Sequence, residues 1–255
     1  MHDNAFKAKL LADEELTGTF LNIPHAMMME ILQKSGLDFA IIDAEHAPFN
    51  PETIDQCVRV GDYCGLQPII RVQDNIPVYI QRAVDLMPAA VLVPQVGTAE
   101  DAEAAVRAAY FQPKGARGLS PNTRFAGYSA DNSADLTALA NENMCVICQA
   151  EGVEGIENLD AILSVDGVDA IYIGPYDLSV SMGLPGKLDH PDVEQKMREI
   201  IAKARDYGKT VGTYCQTLEM AKKWQKAGLK FLTLGVDTVV VYEVYRDLMT
   251  GLRTS

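Results

Sequence analysis

One punctuation recurs along this chain of 255 residues: a helical pattern closes on glycine, two or three residues follow, and a β-rich run begins. It stands at Lys34-Ser35-Gly36 before FAIID, at Tyr63-Cys64-Gly65 before PIIRV and at Tyr207-Gly208 before TVGTY. It returns at Lys226-Ala227-Gly228 before FLTLG and at Gly167 before AIYIG. Glycine just past a helix end accepts the left-handed backbone, so each case marks the same junction of a repeating β/α unit. The apolar runs then predict about eight strands, near 16–21, 39–43, 68–71, 90–94, 144–149, 170–173, 210–214 and 230–234.

Helical patterns fit between these runs, at 25–34, 52–63, 98–109, 191–207, 217–227 and 237–249, and 144–183 reads as strand, helix, strand and loop. Asn50 with Pro51 reads as an N-cap followed by proline at the first helical position. Thr98 with Asp101 reads as a capping box. Eight strands alternating with helices over about 250 residues predict a single closed (β/α)₈ barrel across 1–255. The rival, a doubly wound open sheet, usually carries a glycine-rich phosphate turn after its first strand, and LTGTFLNIP has none. The irregular stretch 112–131, with Arg117 and Arg124, is too long for a plain connection and is expected to be a rim or subunit-contact segment.

The net charge of -13 and the absence of any Lys/Arg run argue against nucleic acid and anionic membranes as partners. No apolar run approaches the roughly 18 residues that span a bilayer. The acids in MHDNAFKAKLLADEEL and its lack of a long apolar stretch argue against a signal peptide. Five cysteines, an odd number scattered through apolar segments, fit reduced thiols in a cytoplasm. Cys145 and Cys148 form a C-x-x-C, but an offset of three within a strand turns the thiols to opposite faces.

In a barrel the chemistry sits at the C-terminal ends of the strands. Those ends offer Asp43, Glu45 and His46, then Arg71, then Gln149 and Glu151, then Asp177 after Gly174, and Tyr214. Glu151 and Asp177 follow consecutive parallel strands that lie roughly 4.8 Å apart, so the two carboxylates can share one cation. Oxygen-only ligands favour Mg²⁺ or Mn²⁺. The plainer alternative is that Glu151 caps or pairs locally and Asp177 caps a turn. His46, beside acids, is a usable general base, and Arg71 either salt-bridges Asp43 or stabilises developing enolate charge. No lysine ends a strand, which disfavours Schiff-base chemistry.

DAEHAPF around Asp43, IIRV around Arg71, the Gln149-Ala150-Glu151 step and IYIGPYDLSVSMG around Asp177 together resemble the HpcH/HpaI aldolases, the metal-dependent class II pyruvate aldolases of the 4-hydroxy-2-oxoheptanedioate type. The likeness runs from about Leu16 to the GVDT that ends at Thr238. It implies a barrel of the phosphoenolpyruvate/pyruvate superfamily, with the last helix exchanged between paired subunits and dimers assembling into a homohexamer. It also implies that Glu151 and Asp177 hold Mg²⁺, Mn²⁺ or a similar ion such as Co²⁺, that His46 is the base and that Arg71 stabilises the transition state. By the same resemblance Asp85 raises the basicity of His46, Asp43 orients its ring, Gln149 binds the pyruvyl portion, and the backbone around Tyr176 and Asp177 receives its carboxylate. Tyr176 stands where the family carries a small residue and Tyr214 replaces an apolar substrate contact, while Met87-Pro88 follow Asp85 in place of Gly-Ala.

The expected reaction is reversible cleavage of a 4-hydroxy-2-oxo acid to pyruvate and an aldehyde. Two alternatives remain open: condensation of oxaloacetate with acetyl-CoA to citrate on the same scaffold, and a non-catalytic 2-oxo-acid-binding protein.

Overall fold

A computed structural model describes residues 4–129, 133–150 and 152–254. Its strands are β1 (Leu16–Leu21), β2 (Phe39–Asp43), β3 (Gln67–Arg71), β4 (Ala90–Val96), β5 (Val146–Ala150), β6 (Ala170–Ile173), β7 (Thr210–Cys215) and β8 (Phe231–Val236). They pair in sequence order, all parallel, and β8 closes on β1, which is the predicted barrel. The helices are α1 (Ala5–Leu11), α2 (Met27–Lys34), α3 (Pro51–Cys64), α4 (Pro77–Val84), α5 (Ala99–Ala109) and α6 (Ser133–Asn143). They continue with α7 (Gly152–Glu157), α8 (Leu159–Leu163), α9 (Pro175–Ser181), α10 (Pro191–Asp206), α11 (Leu218–Lys226) and α12 (Asp237–Arg253).

The start signals read from sequence act as expected. The Asn50 side chain accepts from Thr53 N at 2.9 Å, and Thr98 and Asp101 form a reciprocal capping box at the head of α5. Gly36, Gly65, Gly167, Gly208 and Gly228 all have φ between 66° and 101°, the left-handed geometry that turns each helix back into a strand.

Alternation along the strands divides the core into two layers. Outward residues such as Ile42, Ile70, Val91, Val93 and Ile171 pack under the helices. Inward residues such as Phe39, Ile41, Ile69, Leu92 and Phe231 fill the barrel. Cys148 belongs to the outer layer and Cys145 to the inner one, as their offset of three predicts. The interior needs glycine where aromatic rings approach the wall: a Cβ at Gly18 would stand 2.4 Å from the Phe39 ring, and one at Gly212 would stand 2.3 Å from Phe231.

Helices α1, α4, α6 and α9 lie outside the sequence prediction. α1 plugs the N-terminal end of the barrel, where Phe6 packs edge-on against Phe39 and Phe231 with ring centroids 5.8 Å away in each case. Residues 174–183, expected as a loop, instead begin α9 at Pro175. β4 runs past Pro94 to Val96, its pairing with β5 interrupted where Gln95 takes φ 58°.

Candidate active site

Asp43 and Arg71 are register partners at the C-terminal ends of β2 and β3, and their side chains form a fork-to-fork pair. Arg71 Nε donates to Asp43 Oδ1 at 3.0 Å and Nη2 to Oδ2 at 2.8 Å, while Nη1 lies 3.1 Å from Glu45 Oε2. The Phe20 ring covers the guanidinium, 4.7 Å from Cζ. Burial works against the Arg71 charge, but the hydrogen bonds and charge of Asp43, helped by Glu45, outweigh it and hold its pKa above the ordinary value. The result is a permanent cation fixed in orientation.

Asp43 has a second task. Its Oδ1 accepts the backbone N–H groups of Glu45 and His46, each at 3.1 Å, and this turn presents the imidazole. The His46 ring is 67% exposed, with Nε2 3.6 Å from Glu45 Oε2.

Across the mouth, Gln149 is buried at the end of β5, and Asp177 occupies the first turn of α9. Gly174 lies between them. A Cβ there would stand 2.8 Å from Asp177 Oδ2 and 3.4 Å from Gln149 Nε2, so glycine is what lets the carboxylate and the carboxamide close over one spot. Asp177 has no basic partner among the described residues. Glu151, the other expected ligand, lies outside the described residues, and among those described no group of three or more metal-ligating side chains occurs. An unneutralised carboxylate on a cradle that any side chain at 174 would fill fits a hard divalent cation.

An aromatic wall completes the mouth. Phe20 lies 6.1 Å from Tyr172 and 6.2 Å from Tyr214, and Tyr214 lies 6.1 Å from Tyr176. Tyr176 donates its hydroxyl to Gln216 Oε1 at 3.1 Å. Burial pushes the Tyr214 phenol up to about 12, so it is an O–H donor at neutral pH. These groups enclose a cavity of about 240 Å³, whose lining includes His46, Arg71, Gln149 and Asp177 and, among the described residues, no lysine.

One predicted member is not brought here. Asp85 is the C-cap of α4, which starts at the mouth and runs to the opposite end of the barrel. There it accepts from Arg117 Nη2 at 2.6 Å, and Arg117 is sandwiched by Phe111 and Phe125 at 4.4 Å and 4.8 Å. Within one chain Asp85 therefore cannot tune His46, because a helix separates them. Segment 112–131 packs at this same distal end, where Arg124 pairs with Asp62 and donates to Leu86 O, and so forms no rim of the mouth; its residues 130 and 131 lie outside those described.

The sequence reading missed Phe20, Tyr172, Asn22 and Val236, all of which line the cavity. Asn22 follows β1 directly, and applying the strand-end rule to β1 and β8 would have found it together with Asp237. Asp237, buried, accepts from Asn22 N at 2.8 Å and Ile23 N at 2.9 Å and so ties the end of β8 to the end of β1.

Comparison with known proteins bears on the whole chain. The sequence pattern of a family described as HpcH/HpaI aldolase/citrate lyase matches residues 16–243. A 4-hydroxy-2-oxo-heptane-1,7-dioate aldolase of Escherichia coli (strain ATCC 8739) is 37% identical over 241 residues, covering 94% of this chain and 91% of its own. An HpcH/HpaI aldolase/citrate lyase family protein from Burkholderia cenocepacia J2315 superposes with a TM-score of 0.92 at 30% identity, covering 98% of this chain and 99% of its own. The citrate synthase SbnG superposes with a TM-score of 0.86 at 31% identity, covering 99% and 97%. A mouth built on Asp43, Arg71, Gln149 and Asp177, on a barrel matched along nearly its full length, places the chain in the HpcH/HpaI aldolase/citrate lyase family, as a carbon–carbon lyase.

Proposed function

We propose that the protein is a divalent-metal-dependent aldolase that cleaves a 4-hydroxy-2-oxo acid between C3 and C4 to pyruvate and an aldehyde, and joins them in reverse. The observation that carries this reading is the pairing of an accessible imidazole with a fixed guanidinium across from a carboxylate that has no basic partner among the described residues, in a cavity with no lysine. Glu151 and Asp177 hold the ion, Mg²⁺ or Mn²⁺, with Co²⁺ as a substitute. When bound, such an ion polarises the 2-oxo group as a Lewis acid.

The remaining work falls to side chains. Gln149 hydrogen-bonds the pyruvyl portion, and the backbone at Tyr176 and Asp177 receives its carboxylate. His46 takes the 4-hydroxyl proton. As the C3–C4 bond breaks, its electron pair moves toward the 2-oxo oxygen, and Arg71 stabilises that charge because Asp43 and Glu45 already hold the guanidinium in place. Protonation at C3 then yields pyruvate.

A screen of 4-hydroxy-2-oxo acids with coupled pyruvate detection tests this reading. Pyruvate release that disappears with a chelator and returns with Mg²⁺ or Mn²⁺ is expected, and no release from any of them would contradict it. Likeness to SbnG favours one second reading, condensation of oxaloacetate with acetyl-CoA, which the same screen separates by thiol release. We further infer that the chain works as dimers forming a hexamer, supported by the exposed apolar stripe of α12. A cytoplasmic setting is supported by five unpaired thiols.

A further inference from the structure

The aldehyde half of the substrate is the part that the pyruvyl-binding groups leave unspecified, and the outer mouth carries its own evidence. The relatives named for 4-hydroxy-2-oxo-heptane-1,7-dioate act on a molecule whose aldehyde half bears a second carboxylate. A second carboxylate in a partly closed cavity calls for a cation. Here the described residues of the cavity lining include one cation of fixed charge, Arg71, and Asp43 and Glu45 already engage it in three contacts at 2.8 to 3.1 Å. Among the described residues no lysine and no second arginine line the cavity, while Asp43 and Asp177 add negative charge.

What faces the space beyond the pyruvyl groups is aromatic and neutral. Phe20, Tyr176 and Tyr214 form a continuous wall, stiffened by the Tyr176–Gln216 hydrogen bond. Two neutral polar groups on this side have no protein partner among the described residues. Asn22 Oδ1 is buried without a hydrogen bond, although it lines the cavity. The Tyr214 hydroxyl, a donor at neutral pH, makes no hydrogen bond to any described residue. A buried acceptor without a donor is unfavourable unless something supplies the donor, and a substrate hydroxyl does so.

We propose, building on the aldolase reading, that the aldehyde partner is a neutral, hydroxyl-bearing aldehyde that lies against Phe20, Tyr176 and Tyr214 and hydrogen-bonds Asn22 and Tyr214, in place of an aldehyde acid. Addition joins C3 of pyruvate to the aldehyde carbon. C3 loses one proton, the aldehyde oxygen gains one, and nothing is oxidised or reduced. Asn22 and Tyr214 set which aldehyde is accepted.

The test compares kcat/KM for addition of pyruvate to glyceraldehyde, butanal and 4-oxobutanoate, using the intact enzyme with Mn²⁺, while pyruvate C3 proton exchange is read in D₂O without aldehyde. Glyceraldehyde should exceed both others by roughly tenfold or more, since sites built to hydrogen-bond a hydroxyl discriminate strongly against its loss. Asn22→Ala and Tyr214→Phe should each lower the glyceraldehyde-to-butanal ratio. A preference for 4-oxobutanoate, or a ratio unmoved in both variants, would overturn the proposal. C3 exchange without addition to any of the three aldehydes would overturn it and leave the pyruvate-activating reading standing. Absence of both exchange and addition would overturn the two together.

Discussion

Arg71 is the residue whose geometry is hardest to replace. Its planar fork meets both oxygens of Asp43 and a third from Glu45, and a lysine ammonium can reproduce the charge but not these directions. Arg71→Lys is therefore expected to lower kcat for pyruvate release by roughly a hundredfold, the scale of losing one oriented donor to a developing oxyanion. Steady-state kinetics with circular dichroism checks this, and a folded variant with wild-type kcat would contradict the role given to the fork. The Asp43–Arg71 contact was legible in sequence because both residues end adjacent strands. The Gly174 cradle was legible only in part: the sequence put Gln149 and Asp177 at strand ends, but the need for a missing side chain between them comes from three-dimensional closure. Asp85, assigned by resemblance alone, was not legible from the strand ends: it follows Arg71 by fourteen positions, and its place at the far end of its own chain is set by α4, which the sequence pattern did not announce.

Among the elements, α9 and α12 depart most from what their patterns suggest. α9 starts on proline within two residues of β6, so a turn-rich string reads as a loop until Pro175 is recognised as a first helical residue. α12 was located from its start at Asp237, but its apolar residues do not face the barrel: Val241, Tyr245, Leu248 and Leu252 are all exposed along one stripe, at 44, 66, 63 and 71%. Asp237 is the one buried residue of that helix. A stripe of this size on a single chain supports the proposal that α12 meets another chain. Tyr245→Glu with Leu248→Glu is expected to reduce the assembly to smaller species in light scattering. A wild-type protein that is already monomeric at micromolar concentration would contradict this use of α12.

At the scale of the molecule, the barrel was readable because eight short apolar runs and five helix-ending glycines repeat one unit, and parallel strands in sequence order are the ordinary way to bury such a repeat. What could not be read was how the ends differ. Plugging of the N-terminal end by α1 depends on Phe6 meeting Phe39 and Phe231 across 33 and 225 positions of chain, contacts that no local pattern announces. With that end filled, the open mouth holding His46, Arg71, Gln149 and Asp177 is where we place the chemistry, and activation of pyruvate at C3 is the central step of the proposed reaction. Proton exchange at C3 of pyruvate in D₂O, followed by NMR, tests that step without any aldehyde. Exchange that is lost on chelation, lost in Asp177→Ala and restored to the wild type by Mn²⁺ is the predicted result, and exchange persisting at the wild-type rate after chelation and in Asp177→Ala would contradict it.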